Sequence, residues 1–192
     1  SYAFGYTSIN SFSFLGMKEP EKGYNIFEHC TFKEIYVLKD FPSDKNLFFS
    51  KSCCKCLTEG TCGYNSKYIY NSYNKSLYIY GYGIMYDYDQ YNKNPWYSLS
   101  NTITKVIVMA EVYYIGSRAF IDCTHLTTVI INENVKKIGS EAFCNCHDLQ
   151  SIKLPKKLSS IGTGAFARCD NLESITIPSK IETISGNPFG GC

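Results

Sequence analysis

A 23-residue period dominates the second half of the chain. Seven columns of apolar or cysteine residues recur at this step between residues 106 and 192. The columns are Val106, Val129, Ile152 and Ile175; Val108, Ile131, Leu154 and Ile177; Val112, Val135, Leu158 and Ile181; Ile115, Ile138, Ile161 and Ile184; Phe120, Phe143, Phe166 and Phe189; Cys123, Cys146, Cys169 and Cys192; and Leu126, Leu149 and Leu172. So many aligned columns exclude chance, and a repeat of this length indicates stacked supersecondary units.

One unit of the repeat reads L-x-x-V-x-I-x-x-x-V-x-x-I-G-x-x-A-F-x-x-C. Its first part has period two, so Val129 and Ile131 face one side of a short strand while Thr128 and Ile130 face the other. Gly139 and the short apolar spacing exclude a long helix in the remainder. A unit that can bury its apolar face only against a neighbour predicts a mainly β leucine-rich repeat solenoid with short helical turns.

The period also divides the chain into segments. We interpret 1–50 as two degenerate repeats, 51–62 as a cysteine-rich connector, 63–100 as a tyrosine-rich β-hairpin module and 101–192 as four 23-residue repeats. The interpretation of residues 1–50 depends on a few pairs of apolar residues that lie 23 positions apart, such as Phe12 and Ile35. Because the chain starts and stops within a unit, we expect a longer array with exposed apolar ends.

Charge and hydropathy argue against nucleic-acid binding and against a membrane-spanning protein. The formal net charge is +2 with both signs mixed, which argues against a nucleic-acid-binding protein. No stretch reaches about 18 apolar residues, so neither a membrane span nor a signal peptide is expected. The 10 cysteines suggest an oxidising compartment.

The tyrosine-rich tract around residues 68–98 reads as folded structure rather than as low complexity. Tyr68 and Tyr70 alternate in one predicted strand, Tyr78 and Tyr80 in the next, with a turn at 72–75. Gly81 and Gly83 mark a bend or a close backbone approach. Trp96 and its tyrosine neighbours are interpreted as a cap on the open end of the core, with a second contact patch as the alternative.

The units resemble the BspA-like leucine-rich repeat family, whose recurring motif is I-G-x-x-A-F-x-x-C. The resemblance covers residues 60–192. Upstream, Cys62-Gly63, Leu77-x-Ile79-x-Gly81-x-Gly83, Asp87-Tyr88 and Pro95-Trp96-Tyr97 follow the order of the segment that opens such arrays. The resemblance implies a cell-surface or secreted protein of mucosal bacteria or protist parasites that attaches to host cells and matrix proteins. The alternative is a structural spacer whose ligand-binding repeats lie elsewhere.

The cysteines fall into two groups. Those of the repeat column (Cys123, Cys146, Cys169 and Cys192) are interpreted as buried free thiols, since equivalent side chains in stacked rungs point parallel to one another. Four others cluster between the repeat blocks and are disulfide candidates: Cys53, Cys54, Cys56 and Cys62. Zinc binding through Cys53 and Cys56 is a rival interpretation, but no second ligand pair completes the site, so no metal or cofactor is predicted.

Catalytic and modification motifs are sparse. His29, His125 and His147 lie in no zinc-binding frame, and no nucleophile elbow or phosphate loop is present, so the chain is predicted not to be an enzyme. Asn74-Lys75-Ser76 is a glycosylation acceptor motif in the predicted hairpin turn, which makes Asn74 a candidate site.

The outward face of the repeat strands is the remaining functional surface. Leucine-rich repeats use such a face, on the concave side, to bind partners. The candidate contacts are Lys105, Ile107, Met109, Thr128, Ile130, Asn132, Ser151, Lys153, Ser174 and Thr176. The expected partner is a host extracellular matrix protein, a cell-surface protein or a glycan.

Overall fold

The computed structural model describes residues 58–72, 74–109 and 111–192 in full, together with the backbone of Leu57 and of four N-terminal strands. The chain separates into two units, Ser1–Leu57 and Thr58–Cys192.

In the first unit the described strands pair at the repeat step. Strands β1 (Ser8–Ile9) and β3 (Thr31–Phe32) are parallel, and so are β2 (Phe12–Leu15) and β4 (Ile35–Leu38). Phe12 lies opposite Ile35, a separation of 23 residues along the chain. The boundaries of the two degenerate repeats stay a prediction, because most of residues 1–50 lie outside the described part of the chain.

A β-hairpin opens the second unit. Strand β5 (Leu57–Thr61) pairs with β6 (Gly63–Asn71), which is antiparallel to β7 (Ser76–Met85). Strand β6 ends at Asn71 and β7 begins at Ser76, as the tyrosine pattern predicts, so the hairpin is confirmed, whereas the bounds 63–100 of the module stay a prediction. A 3₁₀ helix, Tyr97–Thr102, then leads into the repeats.

Strand β7 starts two parallel ladders of short strands. Its first half pairs with β8 (Lys105–Val108), and β8 pairs with β10 (Thr128–Ile131); we call this the first ladder. Its second half pairs with β9 (Val112–Ile115), which continues into β11 (Lys137–Ile138), β13 (Ser160–Ile161) and β15 (Thr183–Ile184), the second ladder. Strands β12 (Ser151–Ile152) and β14 (Ser174–Ile175) form a separate parallel pair with the same step. Each rung therefore contributes one strand to the second ladder and one strand either to the first ladder or to the β12–β14 pair.

Backbone hydrogen bonds also connect the turns that return each rung to its next strand. The Phe120 amide donates to the Ala142 carbonyl at 2.8 Å, and the Phe143 amide donates to the Ala165 carbonyl at 2.7 Å. Each of these bonds joins one rung to the next, as the stacking of repeated units requires.

The core is built around a column of stacked aromatic rings. Ring centroids of Phe120 and Phe143 are 5.1 Å apart, and those of Phe143 and Phe166 are 5.4 Å apart. Trp96 precedes the column, 5.7 Å from Phe120, and Phe189 follows it. Trp96 is completely buried, and its Nε1 donates to the Ala119 carbonyl at 2.9 Å. Trp96 is thus the first member of the aromatic column, which places it in the core rather than in a surface patch.

Candidate binding surface

The outward face of the first ladder carries an apolar stripe across three strands. Val106 and Val108 are buried, whereas Ile107 between them is half-buried and points to the other side. Strand pairing aligns Tyr78 of β7, Ile107 of β8 and Ile130 of β10. Ile130 is 48 % exposed. We call Tyr78, Ile107 and Ile130 the stripe: Ile107 and Ile130 are predicted contacts, and strand pairing adds Tyr78 to them.

A polar row lies beside the stripe. Lys105 is opposite Thr128, and Ser151 is opposite Ser174 in the next pair of strands. Thr128, Ser151 and Ser174 are exposed. Their hydroxyl groups present donors and acceptors on the same face as the stripe. The alternation predicted from the sequence thus places these residues outward, while their contact with a ligand stays a prediction.

The remaining candidates lie at or beyond the strand ends. Lys153 and Thr176 are exposed but follow β12 and β14 rather than lying within them. Met109 is half-buried. Asn132 is half-buried: its amide nitrogen donates to the Met109 carbonyl, and its Oδ1 accepts from the Asn134 backbone amide at 2.7 Å. The Asn132 side chain thus stabilises the turn between the ladders, and its contact with a ligand stays a prediction.

Three of the four repeat cysteines are buried as predicted. Cys123, Cys146 and Cys169 are free and completely buried, and Cys146 and Cys169 donate their thiol hydrogens to the carbonyls of Phe120 and Phe143. Burial raises the pKa of Cys169 to about 12. Cys192 is exposed in this structure, and its thiol donates to the Phe166 carbonyl at 3.1 Å, the same kind of bond that Cys146 and Cys169 form.

One of the four disulfide candidates, Cys62, is not in a disulfide. Cys62 is a free thiol with no exposed surface, and burial raises its pKa to about 12. It packs in the core that Tyr68, Tyr88 and Trp96 share, and its carbonyl accepts from the Tyr88 hydroxyl at 3.1 Å. Cys53, Cys54 and Cys56 lie outside the described residues, so a disulfide among them stays a prediction.

Asn74, the candidate glycosylation site, lies in the hairpin turn, as the strand pattern predicts. Its Oδ1 accepts from the Ser76 backbone amide at 3.2 Å, and the Ser76 hydroxyl donates to the Asn74 carbonyl. Asn74 is half-buried and Ser76 is almost completely buried. These bonds define the turn, and glycosylation of Asn74 stays a prediction.

Sequence reasoning missed a second surface, made of exposed tyrosines around the second half of β7. Tyr64 of β6 lies opposite Ile84, and its ring meets that of Tyr86 edge-on at 5.8 Å. We call this surface the tyrosine patch. Its members are Tyr64, Tyr82, Ile84, Tyr86 and Tyr113, whose exposed fractions run from 42 % to 70 %. Period-two alternation within β7 was a usable signal, but it does not tell which face stays uncovered.

Two of the three histidines, His125 and His147, lie in the described part of the chain. No group of three metal-ligating side chains occurs there, and no described helix is long and apolar enough to cross a bilayer. His125 and His147 pair with carboxylates of the following rung, Asp148 at 2.9 Å and Asp170 at 2.5 Å. Both pairs are exposed links between rungs.

Comparison with protein families assigns the repeats. The BspA type leucine rich repeat region matches residues 92–192 in six copies. The chain belongs to the BspA-type leucine-rich repeat family. This match confirms both the predicted fold class and the resemblance drawn from the I-G-x-x-A-F-x-x-C motif. None of the curated proteins compared with the chain matches it.

Solved structures of bacterial leucine-rich repeat proteins are similar to this BspA-type chain. A protein from Eubacterium ventriosum shares 23 % identity at a TM-score of 0.54, over 67 % of this chain and 40 % of that one. This likeness shows the fold. A protein from Bacteroides ovatus has 26 % identity and a TM-score of 0.49, over 67 % of this chain and 35 % of that one. A leucine rich cell surface protein from Faecalibacterium prausnitzii has 23 % identity and a TM-score of 0.42, over 70 % and 46 %. The chain thus spans less than half the length of these three proteins.

Proposed function

We propose that this BspA-type chain is a non-catalytic, cell-surface or secreted adhesion protein that binds host matrix or cell-surface molecules through the outward face of its first ladder. The observation that carries the proposal is the stripe of Tyr78, Ile107 and Ile130, which strand pairing brings into one row. Binding is favoured when a partner covers an exposed branched apolar side chain such as Ile130, because its apolar surface is removed from water.

The mixture of groups on this face suits a protein partner. Protein interfaces combine an apolar centre with a polar rim. Here the stripe forms the centre, and the row of Lys105, Thr128 and Ser151 borders it. The rungs hold both rows on paired backbone, so little conformational entropy is lost when a partner binds.

Biolayer interferometry of the purified chain against immobilised fibronectin, laminin, collagen and mucin tests the proposal. We expect saturable binding to at least one of them. The double variant Ile107→Glu/Ile130→Glu places two charges in the stripe and is expected to weaken that binding at least tenfold, because burying an unpaired carboxylate is unfavourable.

A matched control variant adds the same two charges elsewhere. Gln90 and Ser179 are exposed and lie outside the first ladder, so Gln90→Glu/Ser179→Glu is expected to bind like the wild type. Equal loss in both variants would refute a role for the stripe. Absence of binding to all four surfaces would favour the alternative, a spacer segment whose ligand-binding repeats lie elsewhere.

A further inference from the structure

The tyrosine patch exposes several large aromatic side chains on one part of the surface. Tyr82, Tyr86 and Tyr113 are each more than 40 % exposed, and they lie in or beside strands whose pairing shifts register between Gly83 and Ile84. Single exposed apolar residues are ordinary, but a contiguous group of large ones marks an interaction site. Tyrosine suits such a site because its ring offers an apolar face and its hydroxyl a polar tip.

Lysines follow the patch directly along the second ladder. The Lys136 amide donates to the Tyr113 carbonyl at 2.8 Å, and Lys137 lies opposite Tyr114 in the strand pairing. Adjacent strands of a ladder are about 4.8 Å apart, so the first lysine side chains begin one strand spacing from the rings. Lys136 and Lys137 are exposed, and within the described residues no carboxylate forms an ion pair with either ammonium group.

The cationic character continues into the next rungs. The segments 132–137, 155–159 and 178–183, which join the two ladders, carry five lysines against two glutamates. Lys156, Lys157 and Lys180 are exposed, and the Lys157 ammonium donates to Asn134 Oδ1 at 2.9 Å. Glu111, Glu133 and Glu182 are the glutamates of the same edge, and the Asp87 carboxylate lies beside the patch, where it accepts from the Tyr114 hydroxyl at 2.5 Å. The edge is therefore positive beside an aromatic patch, in a chain whose overall charge is only +2.

We infer that the tyrosine patch and the adjoining Lys136 and Lys137 bind an acidic glycan, a polysaccharide that carries carboxylate or sulfate groups. A sugar ring has an apolar face of C–H groups that can pack on an exposed aromatic ring. The lysine ammonium groups supply mobile positive charges for the anionic substituents of neighbouring sugars. The combination selects a ligand that alternates apolar faces with negative charge. This inference concerns the second ladder and stands independently of the first-ladder proposal.

Binding of the whole chain to immobilised heparin, hyaluronan and uncharged dextran tests the inference. We expect saturable binding to an acidic glycan, weakening as salt rises, and no binding to dextran. Binding to heparin alone assigns the recognised group as sulfate, whereas binding to hyaluronan as well assigns it as carboxylate. Either result supports the inference.

Two variants separate the ring contribution from the charge contribution. Tyr113→Ala and Lys136→Gln/Lys137→Gln are each expected to weaken binding at least tenfold while the thermal unfolding midpoint stays within a few degrees. Lys75→Gln/Arg168→Gln removes the same net charge from exposed positions outside the patch and is expected to change binding less than twofold.

Three results would overturn the inference. The first is absence of binding to both acidic glycans. The second is an equal loss in the control variant, which would mean that overall charge alone is responsible. The third is binding that Tyr113→Ala leaves unchanged and that single-stranded DNA competes for equally well, which would indicate unspecific attraction of polyanions. Loss of first-ladder binding to matrix proteins has no bearing on these outcomes.

Discussion

At the residue scale, the aromatic column adds side-chain stacking to the backbone hydrogen bonds that join consecutive rungs. Phe143 has no exposed surface and stacks between Phe120 and Phe166, at 5.1 and 5.4 Å between centroids. Phe189 is half-buried, and among the described rings it stacks on Phe166. The same residue type therefore contributes differently to stability according to its position in the column.

Truncation at two points of the column measures this difference. Phe143→Ala is expected to lower the free energy of unfolding by about 3–5 kcal/mol, because it leaves a cavity between two rings. Phe189→Ala, at the half-covered end, is expected to lower it by less than half as much. Urea unfolding followed by circular dichroism gives both values. A loss below about 1 kcal/mol for Phe143→Ala would mean that the column does not form the core.

At the scale of elements, β7 connects the hairpin to both ladders because it bends in its middle. Gly81 has φ +98° and Gly83 has φ +113°, a backbone region that residues with a side chain rarely adopt. The pairing with β6 shifts register between Tyr64 and Ser66, beside the same bend. Residues before the bend pair with β8 and residues after it pair with β9, so one strand begins both ladders.

A side chain at the bend should disturb both ladders. A Cβ at Gly81 would lie 2.1 Å from the backbone oxygen of Asn65, which cannot move without breaking the hairpin. Gly81→Ala is therefore expected to reduce stability by about 2 kcal/mol or more. Gly164→Ala is the matched control, since its φ is also positive, +61°, but its nearest contact is 3.5 Å away. Chemical denaturation compares them, and equal effects would mean that the clash is relieved locally.

At the scale of the whole molecule, the buried thiols make the free energy of unfolding fall at alkaline pH. Burial raises the pKa of Cys62 and of Cys169 to about 12 and also raises the pKa values of Cys123 and Cys146. In the unfolded chain a thiol ionises near pH 8.5, so above that pH the unfolded state binds fewer protons than the folded state. Stability is therefore complete below about pH 8.5 and is lost as pH rises toward 12.

The expected slope follows from the number of buried thiols. Each one lowers the free energy of unfolding by about 1.4 kcal/mol for each pH unit above its unfolded value. Urea unfolding at pH 7, 8, 9 and 10 with a reductant present measures the fall. Cys123→Ala/Cys146→Ala should unfold with a shallower dependence on pH, whatever its stability at pH 7. A wild-type free energy that stays constant from pH 8 to 10 would contradict the prediction.

The repeat period predicts much of this molecule, because side chains one period apart lie in register on neighbouring rungs. The inward columns and the outward position of Ile107 and Ile130 follow from it directly. Trp96 does not, since it precedes Phe120 by 24 residues and is out of step with the column it starts. The role of Asn132 depends on carbonyls that only the folded turn brings together. Exposure of the tyrosine patch depends on which strands cover β7, and local alternation contains no such information.

Many side chains hydrogen-bond to the rung beside them at one fixed separation. The Thr127 hydroxyl donates to the Thr104 carbonyl, and the Ser159 hydroxyl donates to the Lys136 carbonyl, both 23 residues away. A donor of this kind requires only that the preceding rung present a backbone carbonyl, whatever its side chains. An in-frame duplication of the gene segment that encodes one rung would therefore insert a unit whose bonds are already compatible on both sides. Such an array can lengthen or shorten over evolutionary time without the invention of new contacts.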